Sequence, residues 1–191
     1  MKRQPIIAIK FLLVMTVLTG IIYPFIITGV AQLAFPARAN GSLVMKNGKI
    51  AGSELIGQKF DSSIYFWSRP SANDYNAIPS GASNLGPTSN KLKKQVAERR
   101  RLFASNNSIA DTLAIPKEML FASASGLDPH ISPEAALLQL KRVAMARNLN
   151  ETQKQKVEQL IINKTEEAQF YLFGEPKINV FKLNLDLDSI K

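Results

Sequence analysis

The sequence FLLVMTVLTGIIYPFIITGVAQLAF, from Phe11 to Phe35, decides how the rest of the chain is interpreted. It contains no charged residue, and as an α-helix it is about 37 Å long at roughly 1.5 Å per residue. This length exceeds the roughly 30 Å hydrocarbon core of a bilayer. Gly20 and Pro24 would weaken a soluble helix, but both residue types are tolerated in transmembrane helices. We therefore predict a membrane-spanning helix over residues 11–35.

A cleaved signal peptide is the alternative interpretation of this segment. Ala37-Arg38-Ala39 has the small-x-small form of a cleavage site, and cleavage there would release a secreted basic binding protein beginning at Asn40. The apolar region of a signal peptide usually runs about 7 to 15 residues, much shorter than this one. The length of the segment favours a retained anchor.

The charges that flank the helix do not by themselves orient it, because three basic residues on each side balance: Lys2, Arg3 and Lys10 before it, and Arg38, Lys46 and Lys49 after it. A short basic tail is most simply left in the cytoplasm, and long domains translocate largely regardless of their charge. We predict a cytoplasmic tail at 1–10, a transmembrane helix at 11–35 and an extracytoplasmic domain at 36–191. The predicted location is the cell (inner) membrane.

Composition narrows the chemistry that the domain can perform. The 191 residues include 24 Lys and Arg, 15 Asp and Glu and no Cys, for a formal net charge of +9. The absence of Cys excludes disulfides, Cys-ligated zinc and thiol chemistry. Six basic residues and only Glu98 as an acid lie between Lys91 and Arg101, which predicts either a solvated helix face or a contact with lipid head groups or an acidic partner. Nothing resembles a nucleic-acid-binding module, so no nucleic-acid partner is predicted.

Local patterns predict a small sheet covered by helices. Asn47-Gly48 between apolar runs indicates a hairpin over residues 43–52, and the apolar run 64–67 indicates a short buried strand. Helices are predicted from Lys91 to about Ser105 with Asn90 as the cap, from Ser132 to about Arg147, and from Asn150 into a helical region that ends at 174–176. Alternating apolar residues over 178–188 indicate a C-terminal strand. The predicted fold class is one α/β or α+β domain after a single transmembrane helix.

Two groups of residues are candidates for chemistry in the domain. His130 is the only histidine, and with Asp128 it forms the only plausible catalytic pair, which leaves a membrane-tethered extracytoplasmic hydrolase as an alternative function. A structural turn before a capped helix is the favoured interpretation of that segment. The loop SGASNLGP, residues 80–87, has the small residues of an anion-binding loop but lacks the following Lys of a P-loop, and Pro87 lacks an N–H.

The membrane segment carries a candidate docking face. Small or notched residues recur every four positions, and such faces let transmembrane helices approach each other closely. The alternative is that Gly and Pro are simply common in membrane helices. The predicted face consists of Thr16, Gly20, Pro24 and Thr28.

Several motifs together resemble the C subunits of the Kdp potassium-transporting ATPase. They are GSELIGQKF (52–60), YFWSRPSANDYN (65–76), SGASNLGP (80–87), SGLDPHISPEAALLQLKRVAMARNL (125–149) and FGEPKINVFKLNLDLD (173–188), in this order along almost the whole chain. The chain departs from the family pattern at Pro79 and Ala82, so no contact is carried over to these two positions.

This resemblance implies an accessory subunit without a catalytic site of its own. The implied partners are a potassium-binding channel-like subunit, a P-type ATPase subunit and a small membrane peptide, together with membrane lipids. The family role is that of a catalytic chaperone that raises the ATP affinity of the ATPase subunit. No cofactor is implied to bind this chain tightly, no metal site is predicted, and ATP enters through the ATPase subunit. The implied nucleotide or partner contacts are Ser80, Gly81, Ser83, Asn84, Leu85, Gly86 and Pro87.

The predicted topology and the implied nucleotide contact conflict in their simplest forms. ATP binds to a P-type pump in the cytoplasm, whereas the loop at 80–87 is predicted to lie outside. We therefore expect any effect on ATP affinity to pass through the membrane helices as a coupling free energy of about 1 to 3 kcal/mol.

Overall fold

The computed structural model describes residues 3–46, 48–110 and 113–190. The chain divides between Ser53 and Glu54 into two compact units. The first unit contains the apolar helix, a one-turn helix and a hairpin, and the second contains the other helices and a short strand pair.

The first unit begins with one long helical run. Helix α1 spans Arg3–Val17, a π-helical segment spans Leu18–Ile22, and α2 spans Tyr23–Ala34. The 32 residues from Arg3 to Ala34 have a mean hydropathy of 2.3 and form the one helix in the described residues that is long and apolar enough to cross a membrane. The π segment has a local cause: Pro24 donates no N–H and its ring crowds the carbonyl four residues earlier, and the N–H of Tyr23 reaches back to the carbonyl of Leu18 instead.

The predicted hairpin is confirmed. After the short helix α3, Pro36–Ala39, strand β1 spans Leu43–Lys46 and pairs antiparallel with β2, Lys49–Ser53. Gly48 has φ of +75°, a backbone conformation that glycine adopts without strain. Asn47, the other residue of the predicted turn, lies outside the described residues.

Capped helices make up most of the second unit. Helix α4 spans Asn90–Asn107, α5 spans Pro133–Ala146, α6 spans Glu151–Lys164 and α7 spans Val180–Leu187, and a 3₁₀ turn covers Lys117–Met119. The side chain of Ser132 caps α5 and that of Asn150 caps α6, as the sequence predicts. The cap of α4 is Ser89, one residue before the predicted Asn90. Strands β3, His130–Ile131, and β4, Ile178–Asn179, pair antiparallel and form a sheet of two residues per strand.

One apolar core joins these helices. Its largest fully buried apolar side chains come from the segment before α4, from the strand pair and from α5, α6 and α7: Phe66, Ile131, Val143, Val157, Ile161, Ile178, Val180, Leu183 and Leu187. The second unit is therefore a helix-rich domain with a very small sheet. This agrees with the mixed class that the sequence predicts, but it contains far less strand.

The predicted strand at 64–67 is wrong, although the burial prediction holds for Phe66, which is 0% exposed. Its backbone is bound by side-chain amides instead of a neighbouring strand. The side chain of Asn184 accepts from the N–H of Phe66 at 2.8 Å and donates to its carbonyl at 2.9 Å. Gln139 does the same for Trp67, at 2.7 and 3.3 Å. A segment whose polar groups are satisfied in this way needs no strand partner.

The predicted C-terminal strand is also wrong beyond Asn179. The side chain of Asn179 accepts from the N–H of Lys182 and begins helix α7. The buried residues of α7 follow helical spacing, which places one face against the core: Val180, Phe181, Leu183, Asn184 and Leu187. The predicted helical region ends at Lys164 rather than at 174–176, and the intervening residues form an irregular hairpin.

The buried guanidinium of Arg142 holds several segments of the domain together by hydrogen bonds. Arg142 on α5 is 7% exposed, and its guanidinium donates to Asn107, Gln139 and the carbonyls of Ser63 and Tyr65 at 2.6 to 2.9 Å. Burial lowers the pKa of Arg142 to about 10, because the charged form loses solvation. Since these acceptors are neutral, Arg142 serves as a multivalent hydrogen-bond donor for irregular backbone.

Candidate partner-binding surfaces

The loop at 80–87 is exposed and irregular. Ser80, Ser83 and Asn84 are exposed, whereas Gly81 and Leu85 are half-buried. Asn84 has φ of +52°, and the loop closes toward α4 through a hydrogen bond from the N–H of Ser89 to the carbonyl of Gly86 at 3.0 Å. Of the seven residues that the sequence singles out, five are therefore exposed and two are half-buried.

The start of this loop is held by Asn73 and Gly126. The Asn73 amide donates to the carbonyl of Pro79 at 2.9 Å and to that of Asn76 at 2.6 Å. Gly126 has φ of +72°, and a Cβ added there would lie 2.3 Å from Asn73 Oδ1 and 3.0 Å from the carbonyl oxygen of Gly81. Only glycine fits this position without displacing the loop.

The loop presents polar backbone to its surroundings. Within the part of the chain that the structure describes, no hydrogen bond is donated by the backbone N–H groups of residues 80–86. These groups and the side chains of Ser83 and Asn84 can bind acceptors on a partner or an anionic ligand. The loop itself contains no cationic side chain, so charge neutralisation would have to come from elsewhere.

The basic helix α4 is mostly a surface feature. The start of α4 carries three exposed lysines, Lys91, Lys93 and Lys94. Arg99 is half-buried, donates to the carbonyl of Leu120 at 3.0 Å and has its pKa lowered by burial. Arg101 pairs with Glu98 at 2.8 Å on the exposed face. Lys91, Lys93 and Lys94 thus place accessible positive charge at the start of α4, next in sequence to the loop at 80–87.

The side chain of Asp128 holds the backbone of His130 at the start of strand β3. Asp128 accepts from the backbone N–H of His130 at 3.0 Å, its Oδ1 lies 3.3 Å from His130 Nδ1, and its Oδ2 accepts from Arg69 at 2.7 Å. Burial opposes ionisation of Asp128, but the hydrogen bonds from His130 and the charge of Arg69 hold its pKa at about 2. Among the described residues, no hydroxyl is hydrogen-bonded to His130, so the geometry does not supply the nucleophile that the hydrolase alternative requires.

The backbone of residues 127–129 joins distant segments of the second unit. The N–H of Gly57 donates to the carbonyl of Leu127 at 2.7 Å, and the N–H of Val180 donates to that of Pro129 at 2.9 Å. The described residues contain no group of three or more His, Asp or Glu side chains that could hold a metal ion.

The predicted docking face of the membrane helix is accessible along the described helix. Thr16, Gly20, Pro24 and Thr28 are all exposed, and a Cβ added at Gly20 would meet nothing within 4 Å. Gly20 lies inside the π-helical segment and Pro24 lies just after it. Binding of another helix at this face stays a prediction.

A fourth surface, at residues 166–177, is not predicted from the sequence. Residues 166–177 form an irregular hairpin in which Glu166 pairs with Lys177 and Gln169 pairs with Phe173. Four consecutive apolar side chains stand at its tip, with Phe170 84%, Tyr171 87%, Leu172 80% and Phe173 68% exposed. The available signal is the apolar run 170–173 followed by Gly174, which lies inside the helical region that the sequence predicts.

Comparison with known proteins decides the family. The family model described as KdpC, "K+-transporting ATPase, c chain", matches residues 6–189. The chain belongs to the KdpC family. The KdpC subunit of the potassium-transporting ATPase from Methylococcus capsulatus is 48% identical over 187 residues, which cover 96% of each chain. The KdpC subunit from Leptospira interrogans is 48% identical over 183 residues, with 96% of this chain and 92% of the relative covered.

A third KdpC subunit, from Caldanaerobacter subterraneus, is 46% identical over 180 residues and covers 94% of this chain and 91% of its own length. These matches span both compact units, so the apolar helix and the helix-rich domain belong to one family architecture. The resemblance found from the sequence motifs is confirmed.

Proposed function

We propose that this chain is a non-catalytic accessory subunit of a high-affinity ATP-driven potassium uptake pump, which it helps to assemble and stabilise. The observation that carries this proposal is KdpC family membership over residues 6–189, and it is supported by a helix long and apolar enough to cross a membrane, followed by a folded domain. Its partners in the proposal are a channel-like potassium-binding subunit, a P-type ATPase subunit and a small membrane peptide. Affinity purification of the tagged chain from membranes tests this: these subunits should co-purify, and their absence would reject the proposal.

The proposal places the domain after the helix outside the cytoplasm. The short basic tail, with Arg3 and Lys10 before the apolar segment, supports this orientation. A reporter that is active only in the cytoplasm, fused after Lys191, should be inactive. The same reporter fused before Met1 is the matched control and should be active, and the reverse pattern would overturn the orientation.

In this topology the chain raises the ATP affinity of the ATPase subunit indirectly. ATP acts on the cytoplasmic side, so the effect has to be a coupling of about 1 to 3 kcal/mol between states of the complex, transmitted through membrane helices. Removing the subunit should raise the ATP concentration for half-maximal activity by roughly 5- to 150-fold. A photoreactive ATP analogue that labels residues 80–87 in the intact complex would contradict the indirect mechanism and support direct contact.

The helix face at Thr16, Gly20, Pro24 and Thr28 is the proposed docking surface within the membrane. Gly20→Leu fills the notch and should reduce co-purification of the partner subunits. Gly29→Leu is the matched control, because Gly29 also has open space around it but lies beside this face. If both variants assemble like the original chain, the face is not the docking surface.

The exposed lysines of α4 are the proposed contact with anionic lipid head groups. Each basic residue close to an anionic membrane surface contributes about 1 kcal/mol. Replacing Lys91, Lys93 and Lys94 by Gln should reduce the salt-sensitive part of membrane association by a measurable amount in a vesicle assay with the anchored chain. An unchanged salt dependence would leave α4 as a solvated surface.

A further inference from the structure

We propose that the aromatic tip, Phe170 to Phe173, inserts into an apolar pocket with a basic rim on another subunit of the same complex. This inference rests on the proposed function and names one contact surface for it. Four consecutive large apolar side chains between 68% and 87% exposed are unusual for a folded domain, and such patches mark interaction sites.

The aromatic tip has a defined backbone conformation, which hydrogen bonds across the hairpin stabilise. Gln169 and Phe173 exchange backbone hydrogen bonds at 2.9 Å in both directions, and Glu166 and Lys177 do so at 2.8 and 3.0 Å. Phe170 and Tyr171 have φ of +55° and +57°, the backbone of a tight hairpin turn. Holding these apolar side chains in a fixed turn removes ordering cost from association, as expected of residues that anchor an interface.

The acidic residues beside the aromatic tip favour a protein pocket rather than a lipid surface as its binding partner. The shoulders of the hairpin carry Glu166, Glu167 and Glu175 as exposed acids and Lys177 as the exposed base. Lys177 lies 3.8 Å from Glu166, and among the described residues no ion pair involves Glu167 or Glu175. An acidic rim is repelled by anionic head groups, whereas a pocket rimmed by Lys or Arg complements it.

The experiment uses the full chain co-expressed with the other subunits in membranes. A photo-cross-linking residue, Tyr171→p-benzoylphenylalanine, should cross-link to another subunit at a site flanked by basic residues, identified by mass spectrometry. The same residue at exposed Glu158 on α6 is the matched control and should give no such product. Cross-links only to lipid or to a second copy of this chain, or no cross-link at all, would overturn the inference.

Two sets of substitutions separate packing from charge. Phe170→Ala with Leu172→Ala should reduce that cross-link about tenfold or more, while the thermal unfolding midpoint stays unchanged because both side chains are exposed. Glu167→Lys with Glu175→Lys should also reduce it, and Glu158→Lys should not. An undiminished cross-link in either double variant contradicts the inference. If tagged chain still co-purifies with the other subunits while the Tyr171 probe captures none, the proposed function stands and the tip inference fails.

Discussion

The guanidinium carbon of Arg142 lies 3.9 Å from the centre of the Trp67 ring. This cation–π contact completes the shell of neutral acceptors around a side chain that is only 7% exposed. Arg142 therefore fixes the position of the single tryptophan and of the irregular backbone on both sides of it.

Replacing Arg142 should lower the free energy of unfolding of the domain more than a surface substitution does. Arg142→Ala leaves several buried carbonyl and amide oxygens without a donor, and we expect a loss of about 3 to 5 kcal/mol in the free energy of unfolding. Denaturant unfolding of the full chain in detergent, followed by Trp67 fluorescence, measures this. Arg101→Ala on the exposed face of α4 is the control. A similar loss in the free energy of unfolding there would contradict the claim that the buried hydrogen bonds of Arg142 stabilise the domain.

Asn184 makes a comparable but smaller contribution through Phe66. Asn184→Ala leaves the buried N–H and carbonyl of Phe66 without partners, and we expect a loss of about 2 to 4 kcal/mol. The same unfolding measurement applies, with Asn163→Ala on exposed α6 as the control. Equal stability of the two variants would show that water or another group replaces the amide.

Asp128 should make stability depend on acid pH. Its pKa is about 2 in the folded state, below the ordinary value of 3.8, so its stabilisation is fully present above about pH 4 and is lost as pH falls toward 2. We expect Asp128→Asn to be less stable than the original chain by about 2 kcal/mol at pH 7, and the difference to disappear near pH 2. Glu151→Gln, at an exposed carboxylate, should show no such pH-dependent difference. A constant Asp128 difference from pH 7 to 2 would contradict this assignment.

Gly126 should control the order of the loop at 80–87. Gly126→Ala places a Cβ against Asn73 and imposes φ strain, so we expect a loss of about 1 to 3 kcal/mol in the free energy of unfolding. We also expect faster amide hydrogen exchange at Asn76 and Ser89, whose N–H groups are hydrogen-bonded at the two ends of the loop. Gly41→Ala separates the two causes, because Gly41 has φ of +86° but open space around it. Loop exchange that is unchanged by Gly126→Ala would show that Asn73 does not hold the loop.

The sequence predicts those elements whose signals are local. The start of α5 is predicted from three consecutive residues, Ser132, Pro133 and Glu134. The start of α6 is predicted from the capping residue Asn150 alone. The strand predicted at 64–67 failed because its hydrogen-bond partners lie far along the chain, on α5 and α7. The alternation at the C-terminus fits a strand as well as it fits α7, and the side chain of Asn179 decides for the helix.

The candidate surfaces divide in the same way. The loop at 80–87 is visible from composition alone, because glycine, serine and asparagine rarely cluster inside a core. The aromatic tip is not, since Phe170 and Leu172 have the composition of buried residues. Their exposure follows from the folded hairpin, in which they stand at the tip beyond the pair Gln169 and Phe173.

The π-helical segment bears on how the notched face of the membrane helix is oriented. In an α-helix each residue turns by about 100°, so positions four apart drift by about 40° around the axis. A π-helix has more residues per turn and turns less at each one, so its drift over four residues is smaller or reversed. The segment Leu18–Ile22 therefore counteracts this winding between Thr16 and Pro24. By displacing one helical hydrogen bond, the ring of Pro24 thereby brings Thr16, Gly20 and Pro24 closer to a single line along the helix axis.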